Sequence, residues 1–244
     1  MKFPELLASL FPNGHEVVIE KGLISGQGRR PSGDAIAVIG VDGRLPVGID
    51  EAAKLSRHVL DIVNRGGEEP ILVLIDSDSQ RMSKRDEMLG LNEFLAHLAK
   101  SLLFADMHGH PTIGLLYGHT AAGAFIATAL ATRALLALPG AQPAVMDLPS
   151  MARVTKLSIG ILEEMARSTP VFAPGLDNLA QTGGVASVLD PGRSLADQLE
   201  TVLDAFAQPA EMEDIRDQLG KERKGRPKAA DIAERVRVLA LASA

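Results

Sequence analysis

Pro70-Ile71-Leu72-Val73-Leu74-Ile75-Asp76-Ser77-Asp78-Ser79 joins five aliphatic residues to a run of short polar ones. An unbroken apolar run of strand length has no solvent face, so it predicts a central strand buried on both sides. The polar end predicts where that strand stops and the chain turns. Pro111-Thr112-Ile113-Gly114-Leu115-Leu116-Tyr117 repeats the construction and breaks at Gly118-His119-Thr120-Ala121-Ala122-Gly123-Ala124 into a small-residue helix. A recurring unit of strand, strand, helix predicts parallel strands joined by helical crossovers, an α/β class.

Working outward, Pro4 to Leu10 predicts a helix and Val17-Val18-Ile19 a strand, with a glycine-rich turn around Gly26 and Gly28. Ala35 to Val41 predicts a second strand, turning at Asp42-Gly43. Asp50 is a fitting N-cap for a helix whose apolar face is Ala53, Leu55, Val59, Leu60 and Val63. Ser83-x-x-Asp86 caps a long helix reaching about Met107. Beyond Leu135–Leu138, a short strand, come a helix-rich region over 148–167, a loop over 169–175, a strand at Val185–Leu189 and an amphipathic helix over 194–206. The last segment, from Pro209, is charged to Lys228 and closes in a helix from Ala229 to Leu241, so residues 1–206 are expected to form one domain and 207–244 a charged, helical extension.

Hydrophobic residues make up 46% of the 244, enough for a core, but aromatics only 3%, so Ala, Leu, Val, Ile and Met must build it. A net charge of −6 excludes nucleic acid as the main partner. No cysteine is present, which excludes disulfides, thiolate nucleophiles and Cys-ligated zinc. The start, Met1-Lys2-Phe3-Pro4-Glu5, shows no signal-peptide pattern, and the apolar-rich 121–138 reads as a buried helix running into a strand rather than a membrane span, so the expected address is the cytoplasm.

The chemistry rests on the two strand ends, Asp76–Ser79 and Gly118–Ala124. Amides at such ends lack internal partners and helix dipoles add positive charge there. Two such ends facing each other can hold an oxyanion, as an enolate formed from an acyl thioester requires. The same turns also occur in α/β proteins merely to reverse the chain.

Gly114-Leu115-Leu116-Tyr117-Gly118-His119-Thr120-Ala121-Ala122-Gly123-Ala124-Phe125, Asp147-Leu148-Pro149-Ser150-Met151-Ala152-Arg153-Val154-Thr155-Lys156 and the stretch from Leu162 to Gly175 together resemble the gamma subunits of biotin-independent malonate decarboxylases. The first stretch is widespread among carboxyltransferases and crotonase-like proteins; the other two are more specific. The resemblance implies a crotonase-like ββα spiral with flanking helices and a C-terminal helical tail. It implies a homologous beta subunit as partner, an acyl-carrier protein bearing a CoA-derived prosthetic group, and a larger acyl-transferase subunit. The pair would convert a malonyl thioester to an acetyl thioester and CO2, with no cofactor bound covalently to this chain. The implied catalytic residues are Ser77, Asp78, Ser79, Ala122 and Gly123; His119 is added as the nearest proton donor in sequence, and Tyr117, Gly118 and Thr120 as substrate contacts. Ala122-Gly123 replaces the usual Gly-Gly and Asp76–Ser79 a more apolar stretch, which fits an enzyme without biotin.

Two other functions stay open: a free-standing crotonase-like hydratase or isomerase, although no glutamate sits beside Gly118–Gly123, and a non-catalytic scaffold subunit. His108-Gly109-His110 has metal-ligand spacing but no third ligand, so no metal is expected. Gly26-Gln27-Gly28-Arg29-Arg30 resembles a phosphate-binding turn without completing a known motif. Lys221 to Lys228 is a solvated loop or an attractor for an acidic carrier protein.

Overall fold

A computed structural model of the chain describes residues 1–206 and 214–242. The first elements are α1 (Phe3–Leu10), β1 (Val18–Glu20), β2 (Leu23–Arg29), β3 (Ala35–Val47), α2 (Ile49–Arg65), β4 (Ile71–Gln80), α3 (Lys84–Met88) and α4 (Leu91–Met107). Then follow β5 (Thr112–Leu116), β6 (His119–Ala121), α5 (Ala122–Thr128), β7 (Ala134–Ala137), β8 (Gln142–Ala144), α6 (Leu148–Thr155) and α7 (Ile159–Ala166). A 3-10 turn, Pro170–Phe172, leads to α8 (Leu176–Gln181), β9 (Ser187–Val188), α9 (Leu195–Phe206), α10 (Arg216–Glu222) and α11 (Ala229–Ala242).

The main sheet has the order β1-β2-β3-β4-β5-β7-β9, antiparallel across β1-β2-β3 and parallel from β3 onward. A second, two-stranded parallel sheet pairs β6 with β8. The chain therefore alternates a main-sheet strand, a small-sheet strand and a helix, in β5-β6-α5 and again in β7-β8-α6. This is the expected ββα repeat.

The unbroken apolar strands are explained by helices on both faces of the sheet. Ile71, Val73 and Ile75 of β4 point to a core shared with Leu55 and Val59 of α2 and Leu95 and Leu98 of α4. Leu72 and Leu74 point the other way, to Leu6 and Leu10 of α1 and Leu195 and Leu199 of α9. Alternation along one strand thus feeds two cores, and no residue from Ile71 to Ile75 is left on a solvent face.

Several expected boundaries are corrected. The glycine-rich segment at Gly26 and Gly28 is not a turn but the middle of β2, where Gly28 faces the ring of Phe11 closely enough that a Cβ would overlap it. No phosphate-binding turn exists there. Strand β3 runs through Asp42-Gly43 to Val47, so the chain enters α2 directly and Gly48, not Asp50, is the cap; Glu51 accepts the Gly48 N–H at 2.9 Å and Asp50 pairs outward with Arg85 at 2.8 Å. The helix capped by Ser83 is two helices, broken at Gly90 with φ +86°. Strand β8 and helices α8 and α10 were not anticipated; β8 and α10 are short and carry a proline or many charges, so neither shows a clear period.

The segment expected as a solvated loop, 221–228, is partly the end of α10, and it is anchored. Arg223 donates to the carbonyl oxygens of Ala180 (2.8 Å), Val185 (2.6 Å) and Ala186 (2.7 Å). The expected extension begins at 207, and residues 207–213 lie outside the described residues. Arg223→Ala is expected to lower stability by about 1.5–3 kcal/mol, the scale of hydrogen bonds to a charged group, and to expose α10 to limited proteolysis. A urea titration with a proteolysis time course checks this.

Candidate functional site

Strand β4 was expected to end at Asp76 and turn. It continues instead, bending away with β3 through the pairs Leu45↔Ser77 and Val47↔Gln80, with register shifts on either side of Leu45. A helix begins only at Lys84. The polar residues Asp76–Ser79 are therefore strand residues, the side chains of Asp76, Ser77 and Asp78 reach the neighbouring β5-β6 corner, and the Ser77–Ser79 amides do not sit at a helix start.

That corner packs directly on them. His119 N–H donates to Asp76 Oδ1 at 2.9 Å, and His119 Nδ1 lies 2.9 Å from the Ser77 carbonyl oxygen. A carbonyl oxygen only accepts, so Nδ1 carries the hydrogen and Nε2 keeps the lone pair of the neutral ring. Asp78 Oδ1 stands 3.8 Å from the same Nδ1 and 3.4 Å from Arg44. Ser77 Oγ and Thr120 Oγ1 share a hydrogen bond of 2.8 Å, both residues at 0% exposure. The turn from β6 into α5 is made at Ala122, a non-glycine with φ +50°. Gly123 N–H donates to Gln80 Oε1 at 2.8 Å.

The residues singled out from sequence thus divide. His119, Asp78, Gly123 and the polar end of β4 come together at the carboxyl ends of the parallel strands β4 and β5, where ligands bind in open α/β sheets. His119 and Asp78 remain reachable, with side chains 22% and 46% exposed. Ser77 and Thr120 are sealed against each other, and Ser79 Oγ donates to the Gln80 carbonyl. Gly118 leaves room for Asp76: a Cβ there would overlap the carboxyl group. Tyr117 is not brought to this cluster. Its hydroxyl donates to Asp42 Oδ1 at 2.7 Å and its ring packs beside Phe3 in the opposite core. Two neighbours were missed. Gln80 lay just past the apolar run, and Arg44, at φ +56°, lay in what read as a turn.

An apolar cavity of about 350 Å³ lies on the far side of β8, lined by residues including Phe125, Pro143, Met146, Met151, Val154 and Leu179. Parts of the stretches 147–156 and 162–175 that carry the family resemblance line it, but none of the site residues expected from sequence does. Among the described residues no group of three His, Asp or Glu is placed to hold a metal. His108 bonds its own helix at Phe104 O and His110 is buried against Glu69 O. No helix among the described residues is long and apolar enough to cross a membrane.

A family model for malonate decarboxylase gamma subunits matches residues 43–240. The chain belongs to that family. Over 153 residues, 59% of this chain, it is 30% identical to the malonyl-S-ACP:biotin-protein carboxyltransferase MADD of Malonomonas rubra, and the match spans 52% of that relative, about half its length. A Pseudomonas malonate decarboxylase hetero-tetramer in complex with coenzyme A contains a chain 23% identical, with TM-score 0.75 over 96% of this chain and 98% of that one. A Pseudomonas MdcD-MdcE hetero-dimer gives 23% identity and TM-score 0.73 over 98% of both chains. Transcarboxylase 12S gives 18% identity and TM-score 0.68, over 84% of this chain and 40% of that one. These likenesses place the gamma-subunit chain in the crotonase-like carboxyltransferase fold that the family resemblance implied.

Burial and the Asp42 carboxylate push the Tyr117 phenol well above its ordinary value. A pKa raised in the folded state stabilises the protein fully below the ordinary tyrosine value of about 10 and loses that contribution as pH climbs past it. Tyr117→Phe is expected to cost about 1–2 kcal/mol at pH 7 and to flatten the fall in stability above about pH 10, as followed by chemical denaturation across pH.

Proposed function

We propose that this gamma subunit, paired with a homologous beta subunit, decarboxylates a malonyl thioester carried on the CoA-derived prosthetic group of an acyl-carrier protein, with a larger subunit exchanging acetyl for malonyl. The observation that carries the proposal is the junction of β4 with the β5-β6-α5 corner, which gathers His119, Asp78 and the Gly123 amide at one strand-end edge. Family membership supports the reaction class. The carrier and partner are supported by the malonyl-S-ACP named for the Malonomonas relative and by the Pseudomonas hetero-dimer. A cytoplasmic address goes with these partners.

In the reaction the bond between the methylene carbon and the carboxylate breaks. CO2 leaves, and the electron pair passes into the thioester carbonyl to form an enolate. Amides that hold this oxygen more tightly as its charge grows lower the barrier. The Ala122–Gly123 backbone supplies them at the turn from β6 into α5. Gln80 Oε1 now occupies the Gly123 N–H, so the thioester oxygen must take the place of that side-chain oxygen. His119 then hands a proton drawn from solvent to the methylene carbon, giving the acetyl thioester. Asp78 provides the counter-charge when the ring carries two protons.

One observation favours a second outcome: the Malonomonas relative is named for transfer to a biotin protein. The replacement of a Gly-Gly pair by Ala122-Gly123 supports loss as CO2 instead. The reconstituted complex is expected to release labelled CO2 from malonyl thioester at a rate unaffected by avidin, and the isolated chain to release none. His119→Ala should lower kcat by about 10²–10⁴-fold, the range of a lost general acid. Gly123→Val should abolish turnover in a complex that still assembles; normal turnover by that variant would leave the chain a scaffold.

A further inference from the structure

His119 is held at two points by two successive residues of one strand. Its ring hydrogen goes to the Ser77 carbonyl and its main-chain N–H to the Asp76 carboxylate. We propose that Asp76 is a positioning residue for the decarboxylation: by holding the His119 main chain it fixes where the free Nε2 of that ring points. The proposal rests on the role given to His119 above.

Three features argue for it. Among the described residues no cation pairs with Asp76, so its half-buried carboxylate is committed to the His119 amide rather than to an ion pair. The space it occupies is reserved for it, since Gly118 has no Cβ and any Cβ there would overlap the Asp76 carboxyl. The clamp also crosses between elements: β4 carries both acceptors and the β5-β6 corner carries the ring, so the ring's direction is set by the sheet and not by its own short loop. With the main chain tied by Asp76 and Nδ1 tied by Ser77, little torsional freedom is left to the imidazole. A proton donor displaced by about 1 Å costs on the order of 100-fold in rate, which is the scale on which such a clamp matters.

The test uses the assembled complex and malonyl-thioester decarboxylation. Asp76→Ala should lower kcat about 10- to 100-fold with KM unchanged. Asp76→Asn keeps an oxygen that accepts the His119 N–H and should recover most of the loss, which a generic structural role for the charge would not allow. Gly118→Ala displaces the carboxylate from the other side and should reproduce the kcat defect; it also stands in if the Asp76→Ala complex does not assemble. Nitrogen-15 shifts of the His119 ring should report the Nδ1–H form in wild type and Asp76→Asn, and a tautomer mixture in the impaired variants. Asp76→Ala and Gly118→Ala turning over within twofold of wild type, or Asp76→Asn as impaired as Asp76→Ala, would overturn the proposal. His119→Ala separates the two layers: if it is impaired while the Asp76 and Gly118 variants are normal, only the clamp fails. Full activity in His119→Ala removes the clamp and the proton-donor role together.

Discussion

The close approach of β4 to the β5-β6 corner is the constraint on which this subunit's architecture turns. Main-chain pairing of the two parallel strands brings Ile75 level with Leu116, and from there each strand leaves the sheet in its own way. Strand β4 bends to stay with β3, while the chain after β5 folds into the small sheet. What keeps the diverging segments together is a set of side-chain bonds: Asp76 to the His119 amide, Ser77 to Thr120, and Gln80 to the Gly123 amide. The polar residues that end the apolar run are thus acceptors for the neighbouring corner. They compensate amides that would otherwise be buried without partners, which is costly.

Much of the architecture could be read from the chain. The unbroken run Ile71–Ile75, the repeat of that construction at Pro111–Tyr117 and the small residues after Gly118 predict parallel strands with helical crossovers, and the sheet has them from β3 onward, its first three strands being antiparallel. Where the structure differs from expectation, tertiary contact outweighs local turn chemistry. Gly26-Gln27-Gly28 and Asp42-Gly43 look like reversals, yet both are strand, because Gly28 makes room for Phe11 and β3 continues alongside the bent end of β4. Asp76–Ser79 misled in the same way. A short polar run after a strand is ordinarily a turn, and nothing local reveals that its acceptors are used by residues some forty positions later.

The candidate site was legible in part. His119 and Gly123 were singled out from the strand-to-helix break, and they do meet the end of β4. Tyr117 belongs elsewhere for a reason inherent in strands: it lies one position past Leu116 and so points to the opposite face. Gln80 and Arg44 emerge only in three dimensions, since their importance lies in partners distant along the chain; Asp76 belongs to the strand end read from sequence, but its bond to His119 does not show there. The family match supplies the reaction class, which no geometry of one subunit would by itself.

The two ends of the main sheet carry a further consequence. Its outermost strands, β1 and β9, are three and two residues long. Short borders offer an incoming chain almost no hydrogen-bonding template, which is how β-rich proteins avoid runaway stacking. Any association of this chain is thereby steered away from sheet continuation and toward the matching of helical and loop faces.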